Sequence, residues 1–188
     1  IETITTETCL PVELMHGHGI DLIEKNVDYI FLPFIVNAKF RGYEKTFNCN
    51  CPWVQTYPFM VKAALKGKID ESKLIMPTLH FRFFESALVK EMMGYFNKKF
   101  GLNKKQIREA VYYADNIQTI FEKRLVDYGK NVFNNIPKNC RPVVLLGRPY
   151  NSADPHLNLG LVEKLIAQNV MPIPVDMLDL TPYNIFKN

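Results

Sequence analysis

Most of the short motifs that announce a self-sufficient catalyst are missing from these 188 residues. No Gly-rich run ends in Lys-Ser or Lys-Thr, so no P-loop cradles a nucleotide phosphate, and no G-x-G-x-x-G opens a dinucleotide fold. G-x-S-x-G and H-E-x-x-H are absent too, which removes the nucleophile-elbow hydrolases and the zincin proteases. No apolar run approaches the roughly 18 residues that a membrane span needs, and the first residues do not read as a secretory leader. Cysteine is sparse and irregular. Four residues without a paired C-x-x-C offer neither a disulfide framework nor a zinc signature. In a chain of this length they read as a reducing compartment, the cytoplasm by default.

What is present is ordinary in bulk. Hydrophobic residues make up 47% and charged residues 22%, as in a typical globular domain. Lys and Arg number 23 against 19 Asp and Glu, a net charge of +4, and they are scattered. That balance leans toward small anionic ligands; without a basic stripe interleaved with aromatics it does not point to nucleic acid. The length suits one domain with a sizeable core. The chain opens at Ile1 in what reads as the middle of an element and stops at "PYNIFKN", so a single domain cut from a longer chain is expected over 1–188.

Short apolar runs recur at "DYIFLP" (28–33), "KLIMP" (73–77), "PVVLLG" (142–147) and "VMPIPV" (170–175). Runs of this length, apolar on both faces, read as buried parallel strands; "IETITT" (1–6) reads as the end of another. Pro172 and Pro174 demote the last run to an edge strand. Helical periodicity fills the gaps, at 11–25, 57–66, 82–100 and 104–133, the last with Ile107, Val111, Ala114, Ile117, Phe121, Leu125, Tyr128 and Val132 at three- and four-residue steps. Asn103 with Gln106 resembles a capping box, and Asp154-Pro155 reads as the opening of a helix ending near Gln168. Alternating strands and helices predict an α/β fold: an open, mainly parallel sheet of about 4–5 strands flanked by helices. The long helical insertion at 82–133 would be a lid or a crossover.

In such a sheet, ligands bind where loops leave the carboxyl ends of the strands. Cys9 should sit there, at the N-terminus of the helix opened by Pro11. Cys49 and Cys51, in "NCNCP", close the long loop after strand 28–33 and should reach the same edge. Cys140 precedes a strand and falls on the opposite edge. A helix N-terminus favours a thiolate, the form that binds soft metals and iron–sulfur clusters; the competing reading makes Cys9 a buried filler. His16 and His18 lie about 200° apart around a helix and cannot face one metal, so one should pack or bond to backbone while the other approaches the site. Gly17 between them costs roughly 1 kcal/mol of helix propensity, which argues for close backbone packing there. "GRPYN" (147–151) follows a strand directly, so Arg148, Tyr150 and Asn151 should line the functional edge. The Arg148 fork suits phosphate or carboxylate, or else pairs with Asp154 or Asp176.

"ETCLPVELMHGHGIDLIEKNVDYIFLP", "NCPWVQTYP" and "VVLLGRPYNSADPHLNLGLVEKL", taken in order, resemble the uncharacterised domain of large proteins related to the activator of 2-hydroxyacyl-CoA dehydratases. That domain is similar to the dehydratase subunits and the double-cubane cluster proteins. The resemblance implies that Cys9 of E-x-C-x-P and Cys51 of N-C-P hold an iron–sulfur cluster, of the 4Fe-4S kind, at a subunit or domain interface that admits a homodimer. Cys49 is extra to the pattern, and a further cysteine expected past the last strand is missing. An ATP-dependent activase domain or subunit would supply electrons at low potential, and the substrate would be of the acyl-CoA type. His18, Arg148, Tyr150 and Asn151 would touch substrate or partner. The alternative is a non-catalytic module that docks the activase and binds no cluster.

Overall fold

The computed structural model describes residues 8–38, 49–82 and 85–180. The strand expected at 1–6, Phe83 and the C-terminal "PYNIFKN" lie outside them. The chain divides into two compact units, Ile1–Tyr112 and Tyr113–Asn188. Both are mixed α/β, and among the described residues the named strands pair in parallel, as strands joined by crossovers do.

In the first unit, helix α1 (Leu10–Glu24) leads into strands β1 (Ile30–Phe31) and β2 (Phe34–Asn37). Helix α2 (Pro52–Ala64) then crosses to β3 (Leu74–Ile75) and β4 (Thr78–His80). β1 pairs with β3 and β2 with β4 in one unbroken register, Ile30 opposite Leu74 through Ile35 opposite Leu79. The ladder bonds run on between the segments: Leu32 N–H donates to the Ile75 carbonyl and Phe34 N–H to that of Pro77, both at 2.8 Å. The two short pairs are therefore one ladder with Pro33 opposite Pro77. Alternate residues face the neighbouring strand, so Pro77 stands where a donor to the Leu32 carbonyl is required, and that bond is missing. The runs read at 28–33 and 73–77 stop at these prolines; the strands continue past them. A bulge at Val36 shifts the register before Asn37 meets His80, bending the strand end as bulges do.

Helices α1 and α2 cover this ladder with Val12, Tyr57, Val61 and Leu65 against Ile30, Leu32 and Leu74. Val61 and Leu65 are 0% exposed, each contributing about 1.5–3 kcal/mol by burial. α2 begins at Pro52 rather than at 57, because proline at the first helical position gives up only a donor that has no intrahelical acceptor; Pro58 is buried inside it. Where close packing was expected at Gly17, a Cβ would meet nothing within 4 Å. Gly19 is the packed position, its Cβ site 3.1 Å from Leu65 Cδ1 and 3.3 Å from Val61 Cγ1.

Helix α3 (Glu85–Phe100) packs Val89 on Ile107 and Val111 of α4 (Lys104–Asn134). The turn between them is closed by the expected capping box: Gln106 N–H donates to Asn103 Oδ1 at 3.0 Å and Asn103 N–H to Gln106 Oε1 at 2.9 Å. The boundary between the units falls inside α4. In the second unit, β5 (Arg141–Leu145) pairs with β6 (Val170–Pro174). Between them lie α5 (Pro149–Ala153) and α6 (Leu161–Ile166). The helix expected to open at Asp154 opens later, at Leu161. Asp154 Oδ1 instead accepts from the N–H groups of His156 and Leu157 at 2.9 and 3.0 Å, a turn its side chain stabilises in place of helix.

Candidate functional site

Cys9 and Cys51 occupy the same local structure. Each is the N-cap of a helix with proline in its first turn, and each holds extended backbone, φ −72° and ψ 142° at Cys9, φ −61° and ψ 156° at Cys51. Neither side chain bonds its own helix, and both residues are exposed, as is Cys49. Exposure removes the buried-filler reading of Cys9.

The two capped helices belong to the same unit and pack on each other. α2 returns from the end of β2 to the start of β3, antiparallel to both strands, and α1 ends just before β1. Both helices thus run in one direction across the ladder. Gly19 of α1 packs between Leu65 and Val61 of α2. Each cap lies about ten residues N-terminal of this contact between the two helices.

Cys49 and Cys51 are tied to the ladder through the residue between them. Cys49 bridges to Asn37 at the end of β2. Asn50 donates its backbone N–H to the Val36 carbonyl and its Nδ2–H to that of Ile35, both at 2.9 Å, while its own carbonyl accepts from Gln55 Nε2 at 2.6 Å. Three backbone and side-chain groups of one residue are thereby fixed between strand and helix.

The strand ends bring further polar groups that reading the residues missed. Glu91 of α3 accepts from both His80 N–H, at 3.1 Å, and His80 Nδ1, at 2.7 Å. Beside His80, buried Asn37 accepts the backbone N–H of Arg82 at 2.7 Å. The available signal was the continuation of strand past Pro77, which carries His80 to the same strand end as Cys49.

Of the two histidines in α1, His16 is buried with Nδ1 3.2 Å from the Val12 carbonyl, the packed member expected. His18 is exposed and lies nine residues along the helix from its cap, roughly 13 Å along the axis. Cys140 immediately precedes β5, at the opposite end of its strand from the α5 loop. A shallow depression of about 420 Å³ surrounds it, lined by Lys138, Arg141 and Gln168 among others.

Arg148, Tyr150 and Asn151 belong to the second unit. Arg148 caps α5 directly after β5, at the carboxyl end of its strand, and among the described residues neither Asp154 nor Asp176 pairs with it. Among the described residues, no three His, Cys, Asp or Glu side chains lie close enough together to hold a metal ion, and no helix is long and apolar enough to cross a membrane. Comparison with curated proteins and with solved structures returned no match. One family model does match, the CoA enzyme activase uncharacterised domain (DUF2229), over residues 1–178. Those residues take in both cysteine caps, the first unit, most of the second and the Arg148 loop, and the chain belongs to that family.

Proposed function

We propose that the first unit presents cysteine thiolates to an iron–sulfur cluster, with Cys9 and Cys51 as ligands and Cys49 as a third, within an ATP-driven electron-transfer system of the acyl-CoA dehydratase kind. The observation that carries this reading is the repeated cap: two exposed cysteines in matching backbone conformation, at the N-termini of two helices that pack on each other. The donor chemistry fits, since thiolate is the ligand such clusters take. The number is short for one chain: four cysteines hold a four-iron cluster, so a second chain or a further segment would supply the rest. Such a group, when bound, provides one-electron transfer at a potential set by its surroundings.

The chain's own residues would position and shield. Asn50 is the positioning residue, since its bonds to strand and helix set the direction in which Cys49 and Cys51 leave the ladder. The first-turn N–H groups of α1 and α2 add a partial positive charge at the caps that favours thiolate over thiol. In the second unit, Arg148, with Tyr150 and Asn151, would contact an anionic group of an acyl-CoA-type substrate or of the activase partner, which its guanidinium fork suits.

The second reading, an activase-docking module without a cluster, is favoured by the lack of any three-ligand group among the described residues. Iron and acid-labile sulfide per chain, measured after anaerobic purification and reconstitution, separate the two. The cluster reading expects iron with sulfide in the wild type, loss of most of it in Cys51→Ala, and none of that loss in Cys140→Ala. Equal iron in the two variants refutes it. A wild type without iron supports the docking module.

A further inference from the structure

The apolar face read along the fourth helix is buried at Ile107 and Val111 and half-buried at Leu125 and Val132, and an exposed set lies partly beside it. Within the second unit, Tyr113, Ile117, Ile120, Phe121 and Tyr128 are all exposed large hydrophobics. At 100° per residue they fall, together with exposed Arg124, inside an arc of roughly 100°. This is a continuous stripe four turns long rather than the scattered exposure normal on a surface.

The stripe is its own complement when reversed. Set antiparallel about the point midway between Ile120 and Phe121, it places Tyr113 against Tyr128, Ile117 against Arg124 and Ile120 against Phe121. A two-fold axis then makes each contact twice. In this register Arg124 faces Ile117 of the second copy with Tyr113 one turn away, within the reach a cation–π arrangement needs. No like charges oppose one another across the axis, since Glu122, the charged residue nearest the centre, is turned about 150° away from the stripe. A parallel pairing would set Arg124 against Arg124. Three aromatic rings of about 150–250 Å² each, more than half exposed, with two isoleucines, remove on the order of 500 Å² per copy. The total, about 1,000 Å², reaches the lower bound for a specific interface.

We propose that this stripe is a homodimer interface, in which α4 packs antiparallel on α4 of a second copy of the chain about the Ile120–Phe121 midpoint. The pairing is independent of any cluster. Sedimentation velocity of the whole chain, from about one to about a hundred micromolar, tests it on wild type and three variants whose folding is checked by circular dichroism. Wild type is expected to dimerise. Phe121→Glu sets a carboxylate against Ile120 twice over and is expected to weaken the dimer at least a hundredfold. Tyr112→Glu is the control: Tyr112 and Tyr113 are each 66% exposed, but Tyr112 lies outside the stripe, so the dimer persists. Ile117→Glu places its carboxylate opposite Arg124 of the second copy and is expected to keep the dimer. A wild type that stays monomeric throughout the range overturns the proposal, as does a dimer indifferent to Phe121→Glu. Loss of the dimer in Ile117→Glu overturns the antiparallel register.

Discussion

Two glycines in α1, two residues apart, should respond oppositely to the same substitution. Gly17→Ala adds a methyl where nothing lies within 4 Å and gains the helix propensity of alanine over glycine, about 1 kcal/mol. Gly19→Ala gains the same propensity but places its methyl 3.1 Å from Leu65 Cδ1 and 3.3 Å from Val61 Cγ1. Both neighbours are 0% exposed, so neither can swing into solvent, and overpacking of a filled core costs about 1–3 kcal/mol. Comparing the variants cancels the shared propensity gain and leaves the packing cost alone. Gly19→Ala should therefore be less stable than Gly17→Ala by about 1–3 kcal/mol. With a urea slope of about 2 kcal/mol per molar, its midpoint falls about 0.5–1.5 M lower by far-UV circular dichroism. Equal midpoints would refute the argument that α1 and α2 meet at Gly19.

Other expectations rest on separate features. A Cβ at Gly129 in α4 would lie 2.1 Å from the Met177 carbonyl oxygen, which is backbone and cannot rotate aside. Gly129→Ala should then destabilise by about 1–3 kcal/mol despite its better helix propensity, measured as a lower urea midpoint. Burial raises the Tyr57 hydroxyl above its ordinary pKa of 10.0. The folded state therefore favours the neutral phenol, and this contribution, complete below pH 10, is lost as pH rises through the folded-state value. Tyr57→Phe should flatten the fall in stability above pH 10, and an unchanged alkaline limb would contradict the assignment. Alkylation under native conditions should modify Cys9, Cys49 and Cys51 faster than Cys140, since only the first three are exposed; mass spectrometry of the modified sites checks the order.

How much of this was legible in the residues depended on whether the signal was local. The capping box at Asn103 and Gln106 and the placement of Cys9 at a helix start were readable because a few adjacent side chains settle them. The strand segments past Pro33 and Pro77 were not, because proline normally ends such a run and only its pairing opposite another proline reveals the continuation. Gly17 and Gly19 could not be told apart by propensity, which is the same for both; the helix facing one of them decides. His80 escaped notice for the same reason as its strand did, and its partner Glu91 comes from a helix that sequence distance alone does not bring near. The α4 periodicity was readable as apolar, but which of its apolar residues are covered is a property of the packed chain.

The paired prolines have a further consequence, for association in the wrong place. Leu32 and Phe34 point their N–H groups into the ladder, so the donor missing at Pro33 belongs to the outer side of the strand, where another chain would otherwise add. Near its end the same flank is occupied by Cys49 and Asn50. The second unit repeats the device, with Pro142 in β5 and Pro172 and Pro174 in β6. Short parallel ladders rich in Val and Ile are templates for edge-to-edge aggregation, and here each one carries residues unable to extend the hydrogen-bonded array. Strand edges poor in donors discourage indefinite stacking of copies. A helical stripe closed by a two-fold axis, by contrast, stops at two.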